Sequence, residues 1–236
     1  MKRLLPFAVL ALLYAGAAAQ EPAERMTPPS IRVSGDATVI VQPDQARIDI
    51  GVTTQAQTAQ AAAADNAHRL ETVLAELRRA LGSGAEIKTV NYALNPDYRY
   101  PKEGGKPTIT GYTATNIVRV TLNDLTRIGQ AIDVATQSGA NQVQRLQFTL
   151  KDEQAARLQA LRAAAVKAKA QAEALAQALG LKIGRVLSVV ESSAGFQPVL
   201  REVALPRAEA AVSTPVEPGT IEAHAAITLT VEIGAQ

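Results

Sequence analysis

Residues 34–52 read SGDATVIVQPDQARIDIGV. Ala37, Val39 and Val41 alternate with polar residues before Pro43, and Ala46, Ile48, Ile50 and Val52 do so after it. A period of two belongs to half-buried strands, so the stretch predicts two strands joined in a hairpin around residues 42–45. Proline is locked near φ −65° and cannot enter the primed two-residue turns that close tight hairpins. A type I turn with proline second gives the four-residue loop QPDQ instead. That loop pairs Val41 with Ala46 and Val39 with Ile48, and it sets Asp36 opposite Gly51 and Asp49 opposite Thr38. The register has a chemical consequence. A tight turn would face Asp36 with Asp49, and two facing carboxylates raise one pKa and resemble an acid/base pair. The longer loop separates them and predicts a hairpin decorated with solvated charges.

Outward from this pair the period changes. From Thr58 onward, Ala63, Asn66, Leu70, Val73, Leu77 and Ala80 fall on one stripe of a long helix that stops near Gly82, with Asn66 its one polar member. Val90, Tyr92 and Leu94 mark a third strand. Tyr112, Ala114, Val118, Val120 and Leu122 mark a fourth, antiparallel to it across the polar loop NPDYRYPKEGGKP. A short helix over 124–137, capped by Asn123 or Asp124 and ended by Gly139, precedes a fifth strand at Leu146, Phe148 and Leu150. Asp152 caps a long alanine-rich helix whose stripe reads Leu161, Ala165, Ala168, Ala172, Leu175 and Leu179, ending at Gly180. Residues 185–190 form a sixth strand. The seventh carries Ile221, Ala223, Ala225, Ile227, Leu229, Val231 and Ile233 on one side. The order β-β-α-β-β-α-β-α-β-β predicts an α+β protein, a largely antiparallel sheet with two long helices and one short helix packed on it.

The chain opens with Lys2 and Arg3, an apolar run from Leu4 to Ala15 and the small residues Ala17, Ala18 and Ala19. That is the pattern of an export signal cleaved near Ala19, and the run is short of the ~20 residues that span a bilayer. The expected division is a signal peptide over 1–19, a proline-rich lead over 20–30 and one domain over 31–234. Within that domain, 192–220 reads as a long irregular insertion with prolines at 198, 206, 215 and 218. Loss of the leader leaves 22 basic against 22 acidic residues, which gives no electrostatic case for nucleic acid. The absence of cysteine removes thiol chemistry and cysteine-ligated metal or iron–sulfur centres. With Met26 the only methionine after the leader, the usual reversible redox groups are missing too.

Few residues hint at chemistry. His68 lies off the helical stripe and His224 on the polar side of its strand, neither with a ligand at H-x-x-x-H spacing. Ser34 lacks the G-x-S-x-G context of a nucleophile elbow, and Gly104-Gly105 lacks the length and following helix of a phosphate loop. Tyr92, Tyr98, Tyr100 and Tyr112 cluster around one loop. Strand packing is the expected role, with a contact surface as the alternative. Asn116 faces inward and is expected to give structural support. The residue patterns therefore supply no catalytic, cofactor-binding or metal-binding residues.

Several segments in order resemble the SIMPL-domain family of bacterial envelope proteins: IRVSGDATVIVQPDQARIDIGVTTQAQTAQAA, IKTVNYALNPDYRY, GYTATNIVRVTLNDLTRIGQAIDVATQSGANQVQRLQFTL, ALGLKIGRVLSVVES and PVEPGTIEAHAAITLTVEI. The resemblance runs from about Ile31 to Ile233. It implies a periplasmic or envelope-associated protein of mixed α/β fold, in a family some of whose members form large ring-like oligomers. Relatives are linked to oxidative-stress defence and to immunogenicity, an animal relative to signalling through a kinase partner, and no catalytic residues carry over. The expectation is a non-enzymatic periplasmic protein without cofactor that forms a homo-oligomer, binds a protein partner through 192–220, associates peripherally with the outer membrane and supports envelope stress tolerance. The alternative is a hydrolase or small-ligand-binding protein with a site under the 95–108 or 192–220 loop.

Overall fold

The computed structural model describes residues 28–102, 104–199 and 214–235, with the side chains of 193, 194 and 196–199 left aside. The elements are β1 (Ser30–Val41), β2 (Gln45–Ala56), α1 (Ala59–Leu81), β3 (Ala85–Arg99), β4 (Thr108–Leu122), α2 (Ile128–Gln137), β5 (Gln142–Thr149), α3 (Glu153–Ala178), β6 (Leu181–Val199) and β7 (Thr220–Ala235). They follow the expected α+β order. All strands pair antiparallel, in two sheets rather than one: β1-β7-β6 and β3-β4-β2-β5.

The predicted β1–β2 hairpin does not form. β1 pairs with β7, Val33 facing Leu229, while β2 lies between β4 and β5. The cause is burial: Ala46, Ile48, Ile50 and Val52 are completely enclosed, and a strand so enclosed takes partners along both edges, leaving none for β1. The connection through Pro43 passes from one sheet to the other. It is pinned where the Asp44 N–H donates to the Thr149 carbonyl (3.3 Å) and the Lys151 N–H donates to the Asp44 carboxylate (2.7 Å).

Each sheet has its own roof. Thr58 caps α1 by accepting from the Ala61 N–H, and α1 lays Ala62, Asn66, Leu70, Val73, Leu77 and Leu81 on the four-stranded sheet. Asn66 and the Leu-Val-Leu run are as expected, whereas Ala63 and Ala80 give way to Ala62 and Leu81, because the buried row runs in four-residue steps at both ends with one three-residue step, Leu70 to Val73, between them. α2 begins after an Asp124-capped turn and closes the other end of this core with Ile128, Ala131 and Ala135.

On the three-stranded sheet α3, capped by Asp152, buries Ala156, Ala160, Ala164, Ala168, Ala172 and Ala176. Of the predicted stripe only Ala168 and Ala172 belong to this row; Leu175 and Leu179 are exposed. This helix uses its four-residue ridge throughout rather than a coiled-coil seam. Because the buried row of α3 is all alanine, helix and strand come so close that a Cβ on Gly35 of β1 would stand 2.2 Å from the Ala164 carbonyl oxygen and 2.6 Å from the Ala168 nitrogen.

β6 runs to Val199 rather than stopping at 190, so 192–199 is strand paired with β7, not part of an irregular insertion. Of that insertion, 200–213 lies outside the described residues. The chain re-enters at Thr214, whose N–H and hydroxyl donate to the Asp133 carboxylate of α2, and Val216 packs on the four-stranded sheet's core before β7 begins. This return tethers the two lobes a second time.

Candidate functional site

The structure scatters the charged candidates of the sequence. Asp36 is exposed on β1 opposite Ala226, and Asp44 serves the junction between lobes. Asp49 belongs to the other sheet, opposite Arg119 of β4 and Arg145 of β5, not opposite Thr38. The Arg119 guanidinium donates two hydrogen bonds to the Asp49 carboxylate, at 2.7 and 2.9 Å. These bonds hold its pKa below the ordinary value of 3.8, against the opposing effect of burial and with help from the charges of Arg119 and Arg145. Such a carboxylate is a poor proton acceptor near neutrality; its arrangement suits a sheet fastener. Nothing in the sequence signalled Arg119 as its partner, because the two residues lie 70 positions apart.

The remaining candidates are similarly dispersed. His68 is exposed on α1, and His224, on the outer side of β7, has its Nδ1 3.2 Å from the Thr38 hydroxyl. Ser34 sits 3.5 Å from Thr228 on that same outer side. Among the described residues no three His, Cys, Asp or Glu stand close enough to share a metal ion. Gly104 and Gly105, both at positive φ, lie in the turn between β3 and β4.

Asn66 explains its place on an apolar stripe: fully buried, its Nδ2 donates to the Val52 and Ala114 carbonyls at 2.8 and 3.0 Å, tying α1 to β2 and β4. Asn116 is half-buried on β4 with its Oδ1 enclosed and unpaired among the described residues. The tyrosines do not pack as expected. Tyr92, Tyr98 and Tyr100 are half or more exposed on the β3–β4 hairpin, which α1 leaves uncovered at its β3 edge.

The better-formed feature was invisible in the sequence. α3 rests mainly on β1 and β7 and covers β6 only in part, through contacts that include the Arg157–Glu191 ion pair, because a helix about 10 Å across covers two strands spaced about 4.8 Å apart. Between them runs a groove of 550 Å³ with Ile227, Leu229 and Val231 of β7 as floor, Ile183, Val186 and Val189 of β6 as one wall, and Ala165, Lys169 and Glu173 of α3 as the other. None of its lining residues comes from 95–108 or 192–220. Val186 and Val189, on the groove side of β6, are 59 and 58% exposed, while Val190, opposite Thr228, faces the outer side of the sheet. Two exposed valines that adjoin an apolar groove form a contiguous apolar surface of the kind that marks binding sites.

The SIMPL family model, described as "Protein of unknown function (DUF541)", matches residues 31–231, which takes in both lobes and the groove. The chain belongs to the SIMPL family. It is 30% identical over 178 residues to the 26 kDa periplasmic immunogenic protein of Brucella melitensis, covering 74% of this chain and 71% of that protein. It is 30% identical over 198 residues to the uncharacterized protein YggE of Edwardsiella ictaluri (83 and 82% covered) and over 191 residues to YggE of Escherichia coli K12 (81 and 77%). Among the described residues no helix of this SIMPL protein is long and apolar enough to cross a membrane.

Proposed function

We propose that this SIMPL protein is an exported, periplasmic protein that acts by association, with copies of itself or with a protein partner, rather than by catalysing a reaction, and that it thereby contributes to tolerance of oxidative stress in the envelope. The observation that carries the reading is the partly covered β6 strip, where the exposed Val186 and Val189 line an apolar groove. An exposed strip of this kind is better satisfied against another surface than against water. The location is supported by the export pattern around Ala19 and by the name of the Brucella relative. With no cysteine and Met26 the sole methionine after the leader, the stress effect is indirect, through whatever the protein holds together.

Light scattering on the protein from Gln20 onward, at micromolar concentration, is expected to give a species heavier than one chain. A strict monomer that also captures no envelope protein would remove the reading. In cells lacking the gene, Val189→Asp is expected to fail to restore peroxide tolerance although it folds.

A further inference from the structure

β3 and β4 outrun the sheet they belong to. β2 accompanies β4 only as far as Ala56, opposite Tyr112; past that level β3 and β4 continue as a two-stranded arm, with Asp97 opposite Gly111, Tyr98 opposite Ile109 and Arg99 opposite Thr108. α1 does not follow the arm. It turns back over the sheet, meeting Thr54 through Ala62 and then Val52 and Ala114 through Asn66. The arm is fastened at its base, where the Asp97 carboxylate accepts from the Thr113 hydroxyl at 2.8 and 2.9 Å and the Asp97 carbonyl accepts from the Thr110 hydroxyl at 3.2 Å.

The end of the arm carries an apolar wedge inside a basic collar. The rings of Tyr98 and Tyr100 have centroids 6.5 Å apart, and Ile109 is the cross-strand neighbour of Tyr98, so the three side chains stand together. They are 50, 73 and 50% exposed. Arg99, Lys102 and Lys106 lie among them, all exposed and without an ion pair among the described residues. Against these three cations, 98–109 holds one acid, Glu103, and Asp97 turns its carboxylate back to Thr113. A tyrosine ring is apolar along its body and polar at its tip, which suits the headgroup level of a bilayer, and clustered Lys and Arg are drawn to anionic lipid. A protein partner fits this end less well. Two strands and a turn offer an edge rather than the ~800 Å² per partner of a standard interface, and strand addition along β3 is opposed by Pro96 and by the register shifts at Thr89/Asn91 and Asp97/Tyr98. We infer that the β3–β4 arm docks peripherally on an anionic phospholipid surface, with Tyr98, Tyr100 and Ile109 entering the headgroup region and Arg99, Lys102 and Lys106 meeting lipid phosphates. The site is separate from the α3–β6 groove and does not depend on the association reading.

The chain has no tryptophan, so Tyr100→Trp reports on the end of the arm alone. With the protein from Gln20 onward and vesicles of equal parts phosphatidylethanolamine and phosphatidylglycerol, its emission is expected to shift to the blue and to be quenched by brominated lipid; vesicles of phosphatidylcholine alone should shift it far less. In vesicle co-sedimentation, Lys102→Ala and Lys106→Ala should each lower the partition coefficient about fivefold, the ~1 kcal/mol that one basic residue contributes near an anionic surface. Tyr98→Ser combined with Tyr100→Ser should lower it about tenfold through lost apolar burial. All these changes lie outside both cores, and unaltered circular dichroism checks that the fold persists. A tryptophan that stays in water beside anionic vesicles, or equal binding to both vesicle types, overturns the proposal whether or not the protein assembles; a monomer that binds vesicles in the expected way removes the association reading alone. Retention on isolated peptidoglycan that the tyrosine changes abolish, with vesicles ignored, overturns lipid docking in favour of a glycan platform.

Discussion

The two lobes solve the same problem, one sheet under a helical roof, with opposite materials. The four-stranded lobe fills its interior with Ile48, Ile50, Leu77, Leu122 and Ile128, all essentially without exposure. The roof of the three-stranded lobe offers its sheet a row of six alanines, with Gly35 beneath Ala164 and Ala168. In the first, stability resides in the volume of interlocking branched side chains. In the second it comes from a close approach of backbones that tolerates no added atom. The first lobe should therefore suffer from large-to-small changes and the second from small-to-large ones. A single narrow helix also covers the third strand only in part, which is why the groove lies in the alanine lobe.

The sharpest way to break this contrast is Gly35→Val. Its side chain would have to occupy space within 2.2 Å of a backbone oxygen that cannot rotate away, so a loss of about 4 kcal/mol is expected, beyond the ~1–3 kcal/mol of ordinary overpacking. Urea titration measures the total, and a paired probe locates it. The described tyrosines all lie on the β3–β4 hairpin, so helical circular dichroism should fall while tyrosine fluorescence holds. Simultaneous loss of both would show that the lobes unfold as one unit.

Next comes Leu77→Ala in the other lobe, at about 3 kcal/mol from lost transfer energy plus the cavity left behind. Here the tyrosine signal should report the transition. A loss below about 1 kcal/mol would mean that this core collapses around the gap and the contrast between lobes is false.

The smallest effect is expected for Asp49→Asn, about 1 kcal/mol, since Arg119 is only partly shielded from water. The sign with pH follows from the lowered pKa of Asp49. Its contribution is complete above the ordinary carboxylate value of about 4 and drains away as acid protonates the folded form. The stability gap between wild type and variant should thus be constant near neutrality and close as pH falls below about 4. A gap that persists in strong acid would assign the effect to packing.

Element type and order were legible along the chain because periodicity, caps and terminal glycines are local signals. Asp124 and Asp152 cap where the sequence placed them, and the buried side of β7 is the one its alternation marked. The candidate site was far less legible. Its walls come from positions around 165–173 and 183–189, its floor from 227–231, and no local pattern announces that a helix will sit to one side of a three-stranded sheet.

Alternation at 31–41 and 46–52 determined that both segments are strands, since it fixes which side chains can leave water together. It could not determine their partners, because every buried strand shows the same alternation whatever lies beside it. That choice fell to the tertiary structure, where β2 satisfied both its edges with β4 and β5 and left β1 to close on β7, nearly the whole length of the chain away. The alanine row likewise revealed a close contact without its address. Only the packed sheet, with Gly35 under Ala164 and Ala168, decided which ridge α3 would use and therefore which strand would be left partly uncovered.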